Sequence, residues 1–359
     1  MIDLDPLQKI LKETLGFSVD KLIATRLTGD ASNRSYYRLS GLAGGSAPSL
    51  ILMVLAEPEG FKASEEAVSG TGTPITELPF INIQRYLHAR KVAVPEILFY
   101  DTARGWLFLE DLGDITLAET IQNQDESVVR SYYQKAIDTL LDIHLETSTG
   151  GEGCIAHHRA FDPALFVWEF DHFIEYGIEA RNNGPIPEKR KKEIRAYFSD
   201  IALRLASLPQ VFTHRDYHSR NLMVQPDPAG ARIRVIDFQD ALMGPPQYDL
   251  ASLLRDSYID LPEASIDALV RYYLQQREAR SGEKTQEEMF REYFDLVSIQ
   301  RNLKAAGRFV YIDRVKKNDR FLQYVPPTLR KVKRNLQKYR RLTPLHELLS
   351  EYVEELQLQ

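Results

Sequence analysis

Val211-Phe212-Thr213-His214-Arg215-Asp216-Tyr217-His218-Ser219-Arg220-Asn221-Leu222-Met223-Val224 is the stretch whose reading decides the fold. A short apolar run, suited to a strand, ends in His-x-Asp. An asparagine stands five residues beyond the Asp, and a second apolar run follows it. Arg234-Val235-Ile236-Asp237-Phe238-Gln239-Asp240 then brings a further carboxylate at the end of another apolar segment, 16 residues past Asn221.

Phosphoryl transfer asks for these residue types, because it is mostly positioning and charge neutralisation. One carboxylate must orient the attacking hydroxyl and accept its proton late in the reaction, a task that suits Asp216. A second must hold Mg²⁺ against a triphosphate, which suits Asp237, since hard cations take oxygen ligands. An amide oxygen completes the metal shell without adding charge, which suits Asn221. His214 reads as a brace for the loop. The spacing His-x-Asp-x4-Asn followed by Ile-Asp-Phe is similar to that of protein-kinase-like enzymes. Asp216, Asn221 and Asp237 are therefore the expected catalytic residues, with Asn221 and Asp237 as metal ligands and ATP and Mg²⁺ as cofactors.

Upstream, residues 5–16 space apolar side chains as a surface helix that stops at Gly16. Strands are expected at 22–27, 36–39, 49–55, 95–100 and 105–110, a turn at 28–33, a loop at 60–74 and a helix at 79–90. From Asp114 the periodicity turns helical, at 125–146, 162–180 and 186–207. Strand-like segments at 222–225 and 233–238 interrupt it, and 247–359 is helical with a loop near 313–327. The expected class is α+β: a small β-rich lobe over 1–110, a large helical lobe over 111–359, and a cleft between them that suits a small molecule.

Bulk composition narrows the partners. The chain has 359 residues and a net charge of −6, without the basic face that nucleic acid requires. Its one cysteine, Cys154, forms neither an internal disulfide nor a cysteine zinc cluster, and reads as a buried apolar residue. Met1–Phe17 lacks the apolar core of a signal peptide, and the run Leu50–Ala56 is far short of the roughly 20 residues that span a bilayer. A cytoplasmic protein with a small-molecule substrate is expected. Its oligomeric state is not legible.

Further segments carry a family resemblance. Gly29-Asp30-Ala31-Ser32-Asn33-Arg34-Ser35-Tyr36-Tyr37-Arg38-Leu39, Leu109-Glu110-Asp111-Leu112-Gly113-Asp114, Gly244-Pro245-Pro246-Gln247-Tyr248-Asp249-Leu250-Ala251-Ser252-Leu253-Leu254-Arg255-Asp256 and Gln300–Phe309 join the two segments above. Together they resemble the aminoglycoside/choline phosphotransferase branch of the protein-kinase-like fold. Within it they are similar to bacterial anomeric kinases of N-acetylmuramate and N-acetylglucosamine that serve cell-wall recycling. The resemblance implies direct transfer from ATP. It implies that Gly29, Asp30, Ala31, Ser32, Asn33 and Arg34 cover the phosphates, and that Glu110 and Leu112 meet adenine. Asp249 would brace the catalytic loop. One departure stands out: the third strand, Ser49–Leu55, has no lysine to pair with the α/β-phosphates. Arg34 and Arg38 are the candidate replacements, and Glu77 is a candidate partner carboxylate.

For the acceptor, Glu169, His172 and Tyr176 lie at i, i+3 and i+7 and share one helix face. Carboxylates and aromatic plates suit a sugar, although such a stripe more often belongs to the core. Asp240 and Arg255 are expected close to the acceptor or the catalytic loop. Arg301 and Lys304 would meet an anionic acceptor or make ordinary interhelix ion pairs. Two other functions fit the same residues: a kinase of another small alcohol (aminoglycoside, choline or nucleoside), and a catalytically silent nucleotide-binding scaffold.

Overall fold

Both faces of the third strand are apolar, and that explains how the amino-terminal lobe is layered. In β3 (Ser49–Val54), Leu50 and Leu52 pack with Leu7, Leu11, Phe17, Trp106 and Phe108, whereas Ile51 and Met53 pack with Phe80, Ile83, Leu87, Leu107 and Leu109. Side chains alternate across a strand, so the sheet is buried between two helices, Leu4–Glu13 and Pro79–Ala89. In this computed structural model, which describes residues 3–27, 34–44, 48–55, 75–228 and 230–357, the sheet is antiparallel in the order β1-β2-β3-β5-β4. The other strands are β1 (Ser18–Leu27), β2 (Ser35–Ala43), β4 (Ile97–Asp101) and β5 (Trp106–Glu110). The segments 28–33 and 60–74 lie outside the described residues.

The rest of the chain is helical around two small ribbons: β6 (Val211–Thr213) paired with β9 (Leu242–Gly244), and β7 (Leu222–Asp227) paired with β8 (Gly230–Val235). The β6–β9 ribbon was not legible as a pair. Contrary to the expected strand 233–238, β8 ends at Val235, and Asp237 turns out of it with φ 65°. Among the described residues no helix is long and apolar enough to cross a membrane.

Two helical expectations are corrected. The segment 162–180 is an α-helix over Pro163–His172 that widens into a π-helix over Phe173–Ala180. The expected loop near 313–327 is mostly helical. Glu287–Lys316 runs to a left-handed cap at Lys317 (φ 58°), a 3₁₀ turn covers Asp319–Tyr324, and Val325–Gln337 follows. Pro326 and Pro327 mark a start here, since proline in the first turn forfeits no helical hydrogen bond. Glu287–Lys316 crosses the π-helix at Gly307, where an added Cβ would lie 2.9 Å from Phe173 Cα and 3.1 Å from the His172 carbonyl oxygen.

Candidate active site

The catalytic loop is held from behind. Asp249, buried in the helix Gln247–Leu254, accepts the backbone N–H of His214 at 2.6 Å and of Arg215 at 2.9 Å. His214 Nε2 donates to the Ile236 carbonyl at 2.9 Å, tying the loop to the residue before Asp237. Asp256 accepts the Ser219 N–H at 2.9 Å and its hydroxyl at 2.5 Å. These ties support left-handed backbone at two non-glycine residues, Arg215 (φ 76°) and Asp237 (φ 65°). Such conformations cost about 1–3 kcal/mol each and cluster at functional sites.

Asp216, Asn221 and Asp237 are brought together. Asn221 Nδ2 donates to the Asp216 carbonyl oxygen at 2.9 Å and lies 3.4 Å from Asp237 Oδ2 and from His218 Nε2. Gln239 Nε2 donates to Asp237 Oδ1 at 2.8 Å and to Asp240 Oδ2 at 3.3 Å, so Asp240 joins the same cluster. Tyr36, reaching in from β2, lies in the field of Asp237 and Asp240 and hydrogen-bonds Arg34. Burial raises its hydroxyl pKa, Arg34 opposes the rise, and the two carboxylates add to it.

Glu169 is corrected by its surroundings. Expected to meet the acceptor, it has no exposed surface. Its Oε1 accepts from Arg215 Nη2 at 3.0 Å and pairs with Lys304 Nζ at 2.8 Å. Its Oε2 accepts from Gln300 at 2.7 Å and from Tyr248 at 3.5 Å. It anchors the catalytic loop to the helix Glu287–Lys316 from beneath. Burial raises its pKa, but Lys304 and Arg215 more than offset this, and the carboxyl sits below its ordinary range.

The same cations act on Asp216, whose side chain is 41% exposed. Arg301 Nη2 lies 3.7 Å from Asp216 Oδ1 and 3.4 Å from the Arg215 carbonyl oxygen. Desolvation pushes the Asp216 pKa up. Lys304, then Arg301, His218 and Arg215 pull it down further, leaving it well below the ordinary carboxylate range. Lys304 thus makes the interhelix ion pair, with Glu169, while Arg301 lies beside Asp216.

Other expected residues are placed as follows. His172 is buried, edged by Tyr176 (ring centroids 4.8 Å) and Tyr311 (5.6 Å). Its pKa is pushed down to about 3, first by burial, then by Arg308 and Lys304. Tyr176 is half-buried on the same face. The Arg255 side chain is 1% exposed, bonds Glu263, and lies 3.8 Å from Asp295, turned into the helical lobe. Its neighbour Asp256 is the member of that run that reaches the catalytic loop.

On the nucleotide side, Gly29, Asp30, Ala31, Ser32 and Asn33 lie outside the described residues. Arg38 is engaged elsewhere, donating to Asp111 at 2.7 and 3.0 Å and to Asp114 at 2.7 Å, with Ser49 also on Asp111. It ties the sheet to the lobe link. The Glu110 carboxylate accepts from Arg234 at 3.0 and 2.6 Å, clasping β5 to β8, and the Leu112 carbonyl accepts from Gln225 at 3.4 Å. The Glu110 N–H is also engaged, donating to the Glu96 carbonyl at 2.9 Å. Glu77 pairs with Arg85 at 3.0 Å and with Asn82 at 3.1 Å, beside the start of the helix Pro79–Ala89.

The model of the phosphotransferase enzyme family matches residues 23–283. A protein of Neisseria meningitidis serogroup B named N-acetylmuramate/N-acetylglucosamine kinase is 30% identical over 277 residues, 77% of this chain and 79% of that protein. One of Pseudomonas aeruginosa with the same name is 31% identical over 328 residues, 90% of this chain and 86% of that protein. Among solved structures, a choline kinase from Cryptosporidium parvum aligns with TM-score 0.63 at 12% identity, covering 97% of this chain and 98% of that one. An ADP-bound aminoglycoside phosphotransferase aligns with TM-score 0.54 at 13% identity, covering 92% and 98%. At such identities the structural likeness speaks for the fold: two-lobed, α+β and protein-kinase-like.

Proposed function

The chain belongs to the phosphotransferase enzyme family and is a small-molecule kinase, and we propose that it transfers the γ-phosphoryl group of ATP to the anomeric hydroxyl of an N-acetylated amino sugar. The supporting observation is the convergence of Asp216, Asn221 and Asp237. The relatives at 30–31% identity, named for N-acetylmuramate and N-acetylglucosamine, support the acceptor class. Cell-wall recycling in the cytoplasm is the setting that this substrate implies.

Magnesium fits the donor set. Among the described residues no three His, Cys, Asp or Glu side chains converge on a cation site, but Mg²⁺ is usually held by one or two protein oxygens plus substrate phosphates and water. Asp237 and the Asn221 amide oxygen would be those ligands. When bound, the ion neutralises phosphate charge. Arg34, at the entrance of β2 and bonded to Tyr36, supplies positive charge on the side where β3 has none.

Asp216 orients the acceptor hydroxyl toward the γ-phosphorus. The new O–P bond forms as the bond to the β-phosphate oxygen breaks, ADP leaves, and the hydroxyl proton passes to Asp216. A carboxylate of depressed pKa is a weak base, and weakness is tolerable because little proton transfer is needed before a loose transition state. Purified protein with Mg-ATP and a panel of amino sugars, aminoglycosides, choline and nucleosides tests the reading. ADP release with an N-acetylated hexose and formation of its 1-phosphate are expected. Release only with another alcohol would replace the acceptor, and release with none would favour the silent scaffold.

A further inference from the structure

Arg220 sits on the catalytic loop between Ser219, which Asp256 holds, and Asn221, which bonds the Asp216 carbonyl oxygen. Its neighbours Arg215 and Arg301 face carboxylates, Glu169 at 3.0 Å and Asp216 at 3.7 Å. Arg220 pairs with no carboxylate among the described residues; its guanidinium donates from Nη2 to the Tyr324 hydroxyl at 2.7 Å. The acids around the loop are engaged elsewhere. Asp256 accepts from Ser219 with one oxygen and from the Tyr258 N–H with the other, at 2.9 Å, and Asp237 and Asp240 both accept from Gln239.

Aromatic rings fix the guanidinium in place. It lies over the Tyr258 ring, 3.7 Å from the centroid, and 5.1 Å from that of Tyr324, an attraction of cation for ring face. Tyr258 and Tyr324 meet edge to face at 4.8 Å, and Phe309 backs them at 6.1 and 6.0 Å. The assembly adjoins the reacting groups, because the Tyr258 ring also edges His218 at 5.4 Å, and His218 Nε2 lies 3.4 Å from Asn221 Nδ2. Arg220, Tyr258 and Tyr324 all keep part of their surface exposed. A guanidinium offers five N–H donors in a planar fork, so the Tyr324 bond leaves donors for a ligand. A fork already held in position binds a carboxylate with two parallel hydrogen bonds and has little rotamer freedom left to lose.

We propose that Arg220 is a specificity-determining residue, the receptor for a carboxylate on the acceptor, with Tyr258 and Tyr324 as its positioning residues. The inference rests on the kinase reading with the acceptor hydroxyl at Asp216, and it deepens that reading: the site favours an acidic amino sugar over a neutral one. The phosphoryl group in transfer offers the same oxyanion chemistry. The rings that hold Arg220, however, all come from segments after the helix Gln247–Leu254, and none from the five-stranded sheet, which carries Arg34 at the entrance of β2.

The test compares Arg220→Gln, which removes the charge, with Tyr324→Phe, which keeps the ring and deletes only the hydroxyl that steers the guanidinium. Turnover with Mg-ATP, and the melting shift in the presence of ADP, are measured with N-acetylmuramate, which carries a carboxylate, and N-acetylglucosamine, which does not. In Arg220→Gln, kcat/KM for N-acetylmuramate should fall about 10- to 100-fold further than for N-acetylglucosamine, mainly through KM. Tyr324→Phe should move the same ratio in the same direction by about 2- to 10-fold, and it decides alone if Arg220→Gln does not fold. An equal fall in kcat on both sugars would assign Arg220 to the phosphoryl group and overturn the acceptor assignment, and an unchanged ratio would overturn it as well. Wild-type inactivity on both sugars would refute the amino-sugar reading instead. The melting arm would then decide on Arg220: a midpoint shift from N-acetylmuramate that the variants lose supports the receptor, and no such shift in the wild type overturns it.

Discussion

Glu169→Gln separates a supporting carboxylate from a substrate-binding one. The change keeps shape and one acceptor oxygen but deletes the charge that Arg215 and Lys304 share at 3.0 and 2.8 Å. Removing one partner of a fully buried ion pair costs about 3–5 kcal/mol, because the remaining charge is left uncompensated. At about 2.1 cal/mol/K of unfolding entropy per residue, a chain of 359 residues loses about 5 °C of melting midpoint for that penalty. Catalysis suffers through Arg215, whose left-handed backbone (φ 76°) precedes Asp216. Melting by scanning fluorimetry, with acceptor KM and kcat measured alongside, gives the answer. The expected pattern is a lower midpoint and a lower kcat with acceptor KM little changed. A wild-type midpoint combined with a large rise in acceptor KM would refute the reasoning and return Glu169 to the acceptor.

Other outcomes follow from the same geometry. Asp237→Ala is expected to weaken Mg-ATP binding in calorimetry, and unchanged nucleotide affinity would contradict the metal assignment. Gly307→Ala pushes a methyl group against the backbone of His172 and Phe173, so it should cost about 1–3 kcal/mol and lower the melting midpoint. His172 stays neutral in the fold down to about pH 3, whereas unfolded histidine takes up its proton near pH 6.5. Its depressed folded pKa means that stability falls with pH through this window, by about 2 kcal/mol between pH 7.5 and 5 from this group alone. His172→Gln should flatten that part of the profile; a slope equal to wild type would assign it to other groups.

Legibility tracked sequence distance. The loop carrying Asp216 and Asn221 was readable because its chemistry lies within eight residues and each end is marked by an apolar strand. Helical period groups Glu169, His172 and Tyr176 on one face but leaves open whether that face meets a sugar or the core. What covers Glu169 is a lysine 135 positions away, on a helix whose docking depends on Gly307. Arg38 looked free for phosphate because its partners Asp111 and Asp114 lie 73 and 76 residues on. Sequence does not show which way each member of the run Arg255-Asp256 turns: the acidic residue meets Ser219 and the basic one Glu263. The π-helix carries no composition signal that would distinguish it from the α-helix before it.

The most direct test of the account is Asp216→Asn. Losing a positioned base costs about 100- to 10,000-fold in rate, while Asp237 and Asn221 remain to hold the nucleotide's metal. With Mg-ATP and an N-acetylated amino sugar, ADP release should fall within that range while Mg-ATP affinity stays at the wild-type level. Turnover within tenfold of wild type would contradict the central role given to Asp216.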